Sequence, residues 1–196
     1  MGKAGLLGLA IALFTIVVLA SLVQSNESRP APARVSNAAH EATSAEGAAP
    51  GLVVPVAGVA PRAITDTWGQ ARDAGARAHH GTDIVAPRGA RVVASVNGTI
   101  EKLFQSRAGG ITLYERTPDG RWSFYYAHLA AYAPGIREGQ VVKAGETIGF
   151  VGDTGNAGAG NYHLHFGLSR MAKTQAWWTG EPVNPYPLLA RARPAR

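Results

Sequence analysis

Apolar and polar positions divide the chain into three stretches. Residues 4–23, "AGLLGLAIALFTIVVLASLV", run for twenty positions without a charge. That length spans a bilayer as a helix. Lys3 precedes it, so the short N-terminus is expected to stay in the cytoplasm and the rest to be exported. A secretory signal peptide is the rival reading, with Val18-Leu19-Ala20 as a small-x-small site, but that site lies inside the apolar run. We expect an uncleaved anchor facing the cell wall or periplasm, with secretion after cleavage as the alternative. Residues 24–50 contain no aromatic residue and almost no large aliphatic one. They cannot bury enough apolar area to fold and read as a disordered linker reaching on the order of 30 Å. His40 falls within it and carries no expected role.

From Gly51 the pattern changes to short β-branched and aromatic runs, punctuated by Gly, Pro and Asp-Gly. These predict strands near 82–86, 91–96, 98–105, 111–116, 121–128, 147–151 and 163–168. "TPDGRW" predicts a hairpin turn between two of them. A helical period is hard to find, apart from a short turn near "NPYPLLA". The expected fold is mostly β: a compact antiparallel sheet, barrel- or sandwich-like, over 51–190, followed by a basic tail at 191–196.

Composition sharpens this. Glycine is frequent at 24 of 196 residues and only 16% of residues are charged, which favours a β or loop-rich domain over a helical bundle. There is no cysteine, which excludes disulfides and thiolate metal sites. The net charge of +6 suits an anionic polymer or surface. The arginines are scattered and match no nucleic-acid module, so no nucleic acid is expected and most arginines read as solvated.

Outside the linker, histidines fall in three clusters: His79 and His80, His128, and His163 with His165. Residues two apart on a strand share a face, so His163 and His165 project side by side. If 79–83 is extended, His79 and Asp83 share a face too, and Gly81 between them permits a close approach or a sharp bend. Two imidazoles and a carboxylate make a hydrolytic zinc set with one position left for water, and nitrogen and oxygen are the only donors available. Two histidines remain for proton transfer and oxyanion stabilisation. By parity, His128 ends a strand whose alternate residues are Trp122, Phe124 and Tyr126, which also allows it merely to cap an apolar face.

Four segments in order, "RAHHGTDIVAPRGARVVAS", "GRWSFYYAHL", "EGQVVKAGETIGFVGDTGNA" and "NYHLHFGL", resemble the lysostaphin/LytM-type zinc peptidoglycan endopeptidases over roughly residues 52–190. The resemblance implies one zinc per chain, held by His79, Asp83 and His165. It implies that His128 and His163 act at the reacting carbonyl and that His80 is not a ligand. It implies a peptidoglycan stem peptide or cross-link as substrate. Two positions depart from the family's usual pattern: Tyr162 replaces a proline and Gly167 replaces a glutamate. Neither is a ligand position; both bear on the walls of the cleft. The alternative is a non-catalytic LytM-like module that activates other wall hydrolases, and a regulatory partner is left open. "GQVVKAGETIGFVGDTG" also resembles carrier-domain hairpins, but Lys143 lacks their flanking Asp or Met.

Overall fold

A computed structural model describes residues 49–72 and 75–196. The apolar stretch at 4–23, the linker up to residue 48 and His40 lie outside the described residues. Among the described residues no helix is long and apolar enough to cross a membrane.

Among the described residues the elements are a 3-10 turn (Pro61–Ala63), β1 (Ala71–Arg72), β2 (Arg77–Ala78), β3 (Thr82–Val85), β4 (Arg91–Val93), β5 (Gly98–Ser106), β6 (Gly110–Arg116), β7 (Trp122–Tyr132), β8 (Val141–Val142), β9 (Thr147–Val151), β10 (His163–Arg170), β11 (Glu181–Val183) and a short α-helix, α1 (Tyr186–Leu189). β1 and β2 form a small ribbon. The others build one sheet in the order β11-β10-β7-β6-β5-β8, with β3 added beside β10 and with β9 joining β7 to β4. Every strand pair is antiparallel. This is the mostly β, antiparallel fold expected from the alternating runs.

The seven expected strands all appear. The strands that sequence patterning missed are two or three residues long, too short for a period of two to register. "TPDGRW" turns as expected: the Thr117 amide donates to the Trp122 carbonyl at 3.0 Å, and Gly120 supplies the positive φ of 74°. Residues 191–196, set apart in the sequence by their charge, are bonded into the fold. Arg193 pairs with Val53, its amide donates to Leu52 and its carbonyl accepts from Val54; Ala192 and Ala195 are buried.

The core lies on one face of the long central strands. Phe124 and Tyr126 on β7 meet Phe166 on β10, with ring centroids 6.0 and 5.3 Å apart. Leu113, Ile84, Leu164 and Leu168 complete this layer, all buried. Burying each such side chain contributes roughly 1.5–3 kcal/mol. The alternate residues of β10 therefore face the other way, and those are His163, His165, Gly167 and Ser169.

Candidate metal centre

β10 is the spine of the site. His165 pairs with Asp83 of β3 on one side and with Ala127 of β7 on the other. Register alone therefore brings a carboxylate from residue 83 beside an imidazole from residue 165. His79 reaches the same point from the loop before β3. Its Nε2 lies 2.8 Å from His165 Nδ1 and 3.1 Å from Asp83 Oδ1. His165 Nδ1 lies 3.2 Å from that oxygen. A tetrahedral zinc with bonds of 2.0–2.1 Å needs donors about 3.3 Å apart. The triangle is close to that size.

Gly81 makes the approach possible. A Cβ there would fall 2.7 Å from His165 Nε2 and 2.9 Å from the Phe166 carbonyl oxygen, so any side chain would displace the ligand strand. The close-approach role read from the sequence holds.

The rings are oriented by the backbone. Carbonyls accept only, so His79 Nδ1–H donates to Thr67 O at 2.7 Å and leaves a bare Nε2 aimed into the triangle. That lone pair then faces the Asp83 carboxylate, an arrangement that calls for a shared cation. Arg72 Nη2 holds the other carboxylate oxygen, Oδ2, at 2.5 Å, and the Asp83 amide donates to Thr67 Oγ1 at 3.0 Å. Burial alone would raise the Asp83 carboxyl. The facing imidazoles of His165 and His79 outweigh it and hold the group well below the usual carboxylate range. Burial pushes the His165 imidazole down, favouring its neutral form. The donor set fits a metal ion.

Two more histidines face the same cleft. His163 Nδ1–H donates to Asn161 O at 2.8 Å, and its Nε2 lies 3.8 Å from Asp83 Oδ1. His128 Nδ1–H donates to Thr154 O at 2.7 Å. Its ring centroid is 4.9 Å from His163 and 5.9 Å from His165. Burial pushes the His128 imidazole down to about 4, against the bond to Thr154, so it is neutral at pH 7.

The route by which His128 arrives differs from the parity reading. β7 does not end there but continues to Tyr132, and His128 has φ 60°. β7 pairs with β10 up to Ala127 and with β9 from Leu129, and its register against β6 shifts across the same residues. This is a β-bulge, which re-aims one side chain. Ala127 and His128 both line the cleft, while Leu129 returns to the core. Parity predicted the apolar face; the bulge moves His128 to the polar one.

His80 is exposed and stacks on Trp68 at 5.3 Å. Sequence reasoning missed Arg72, Thr67, Asn161 and Thr154. Three of these act through backbone carbonyls, which leave no trace in residue type. Arg72, eleven positions before Asp83, was counted among solvated arginines.

Residues 77–185, more than half of the chain, match Peptidase family M23. The chain belongs to peptidase family M23. This M23 chain is 37% identical over 129 residues to the L-Ala--D-Glu endopeptidase of Bacillus subtilis, covering 63% of this chain and 38% of that one. It is 40% identical over 124 residues to the DD-carboxypeptidase/endopeptidase Mpg of Neisseria meningitidis, covering 62% and 23%. It therefore spans well under half the length of these curated relatives. The lysostaphin catalytic domain of Staphylococcus simulans superposes with a TM-score of 0.53 at 28% identity, covering 64% of this M23 chain and 90% of that domain. Homology to the LytM/lysostaphin-type peptidoglycan endopeptidases follows.

Proposed function

We propose that this protein is a zinc-dependent endopeptidase hydrolysing peptide bonds in peptidoglycan stem peptides or cross-links. One observation carries the reading: His79, Asp83 and His165 each offer one ligand atom, all within 4.8 Å of one another, in a cleft that His128 and His163 also line. The relatives' names support the choice of polymer.

His79 Nε2, Asp83 Oδ1 and His165 Nδ1 would hold the ion. Zinc bound there supplies Lewis-acid polarisation of a carbonyl and a water acidified to a pKa of about 7. His128, neutral and held by Thr154, can accept a proton through Nε2. His163, held by Asn161, presents Nε2 from the same strand as His165 and can stabilise negative charge developing on the scissile oxygen. Arg72 orients Asp83 through its other carboxylate oxygen. A non-catalytic module needs none of these five side chains in register. The apolar run at 4–23 after Lys3 supports export and attachment to the cytoplasmic membrane.

Digestion of defined muropeptides by the metal-loaded chain, read by mass spectrometry, tests this. The expected outcome is a new amine and a new carboxylate at one stem-peptide bond, abolished by chelation. Intact muropeptides with stoichiometric zinc present would overturn it.

A further inference from the structure

Past His165, β10 continues on the same face with Gly167 and Ser169, since alternate residues share a face. Their β7 partners are Tyr125 and Ser123, and Tyr125 pairs in turn with Tyr114 of β6. Trp177 packs on Tyr114 with ring centroids 4.7 Å apart, and Trp178 lies edge-on to Trp177 at 5.0 Å. These residues line a groove that shares Tyr125 with the histidine cleft. Gly167 lies two residues beyond His165, about 7 Å along the strand.

Gly167 keeps the floor open. A Cβ there would meet Tyr125 Cβ at 3.3 Å and His80 O at 3.6 Å, in or near ordinary contact, so a longer side chain would occupy the groove itself. The walls are flat aromatic rings, with Trp178 64% exposed. The polar side chains among them are Ser123, Ser169, His80 and the phenols of Tyr114 and Tyr125. Among the described residues, no Asp, Glu, Lys or Arg lines this groove.

We propose that the groove is a saccharide subsite, taking an N-acetylhexosamine ring of the glycan to which the stem peptide is joined. Such a ring has an apolar C–H face that lies on an aromatic face, whose quadrupole is negative. Its hydroxyl and amide edges suit serine hydroxyls. Charged peptide side chains find no Asp, Glu, Lys or Arg there to pair with. The choice of polymer rests on the peptidase reading above. The geometry also restricts the bond cut. An extended chain advances about 3.3–3.6 Å per residue. A sugar seated over Gly167 would put the scissile bond within a few residues of the sugar attachment rather than at the far end of the stem.

Two substrates with the same stem peptide test this on the metal-loaded full chain, one carrying the disaccharide on its lactyl group and one acetylated instead. We expect kcat/KM about tenfold or more higher for the sugar-bearing substrate, because remote contacts are spent on the reacting centre. Trp178→Ala should bring that ratio near one and leave the rate on the acetyl peptide unchanged; Gly167→Gln should also bring the ratio near one. A ratio near one in the parent chain, or one that neither variant alters, overturns the subsite. Quenching of tryptophan fluorescence by N,N′-diacetylchitobiose gives a readout without turnover. It should saturate in the parent chain and vanish in both variants; no response in the parent chain overturns the proposal. If the disaccharide binds and neither peptide is cut, the subsite stands and the peptidase reading falls.

Discussion

Two buried polar clusters sit on opposite faces of β7. On one face His79, Asp83, His128, His163 and His165 converge in the cleft. On the other, Glu115 of β6 is fully buried against Tyr126, whose hydroxyl donates to Glu115 Oε2 and accepts from the Ser95 amide. Glu115 Oε1 has no hydrogen-bond partner. Both clusters carry the cost of burying titratable groups. They resolve it differently. A lone acid can be neutralised by one proton, and burial raises Glu115 to about 7. Two imidazole lone pairs and an ionised carboxylate meeting at one point are satisfied by a cation. The difference separates a structural polar pair from a reactive one: converging donors with an open side, as against one acid closed in by the core.

That contrast is broken most severely at the ligands. Asp83→Ala or His165→Ala should lose both zinc and turnover, checked by metal analysis and muropeptide digestion of the same preparation. Next come the two histidines proposed to act on the substrate. His163→Ala and His128→Ala should keep zinc and lower kcat about 10²–10⁴-fold. If either loses metal, its assignment to the substrate side fails. Arg72→Gln should act more mildly, weakening zinc affinity about 10–100-fold through a less constrained Asp83. Competition with a chromophoric chelator measures this, and unchanged affinity would make Arg72 a bystander.

The smallest effect belongs to the other face. The folded value of Glu115, about 7, lies above its ordinary value of 4.5. Between these pH values the folded chain holds a proton that the unfolded chain has released. Stability contributed by the neutral acid is thus present in full below about pH 4.5 and lost as pH rises through 7, a change of roughly 3 kcal/mol. Glu115→Gln should flatten this part of the profile in thermal melts, with zinc content untouched. A slope that survives the substitution would assign it elsewhere.

The sequence made one side of this comparison far more legible than the other. The spacing of His163 and His165 on a strand, and Gly81 between His79 and Asp83, predict a shared face and a close approach, and both are present. Strand positions were readable because β7 and β10 are long, largely apolar runs buried along most of their length. The motif resemblance placed His128 in the cleft, where it lies; strand parity alone would aim it at the core, because a bulge reverses parity without a proline or glycine to announce it, placing a histidine at φ 60°. Arg72 was missed because β1 and β2 are too short to show a period. Glu115 reads as the ordinary polar member of an alternating strand; only the packing of both faces shows it to be inside.

The most direct test is zinc content in two variants of the strand that holds both kinds of histidine. Plasma mass spectrometry of the purified full chain should find about one zinc per chain in His163→Ala and close to none in His165→Ala. Equal zinc in the two variants, or loss from His163→Ala alone, would contradict the division of labour proposed along β10.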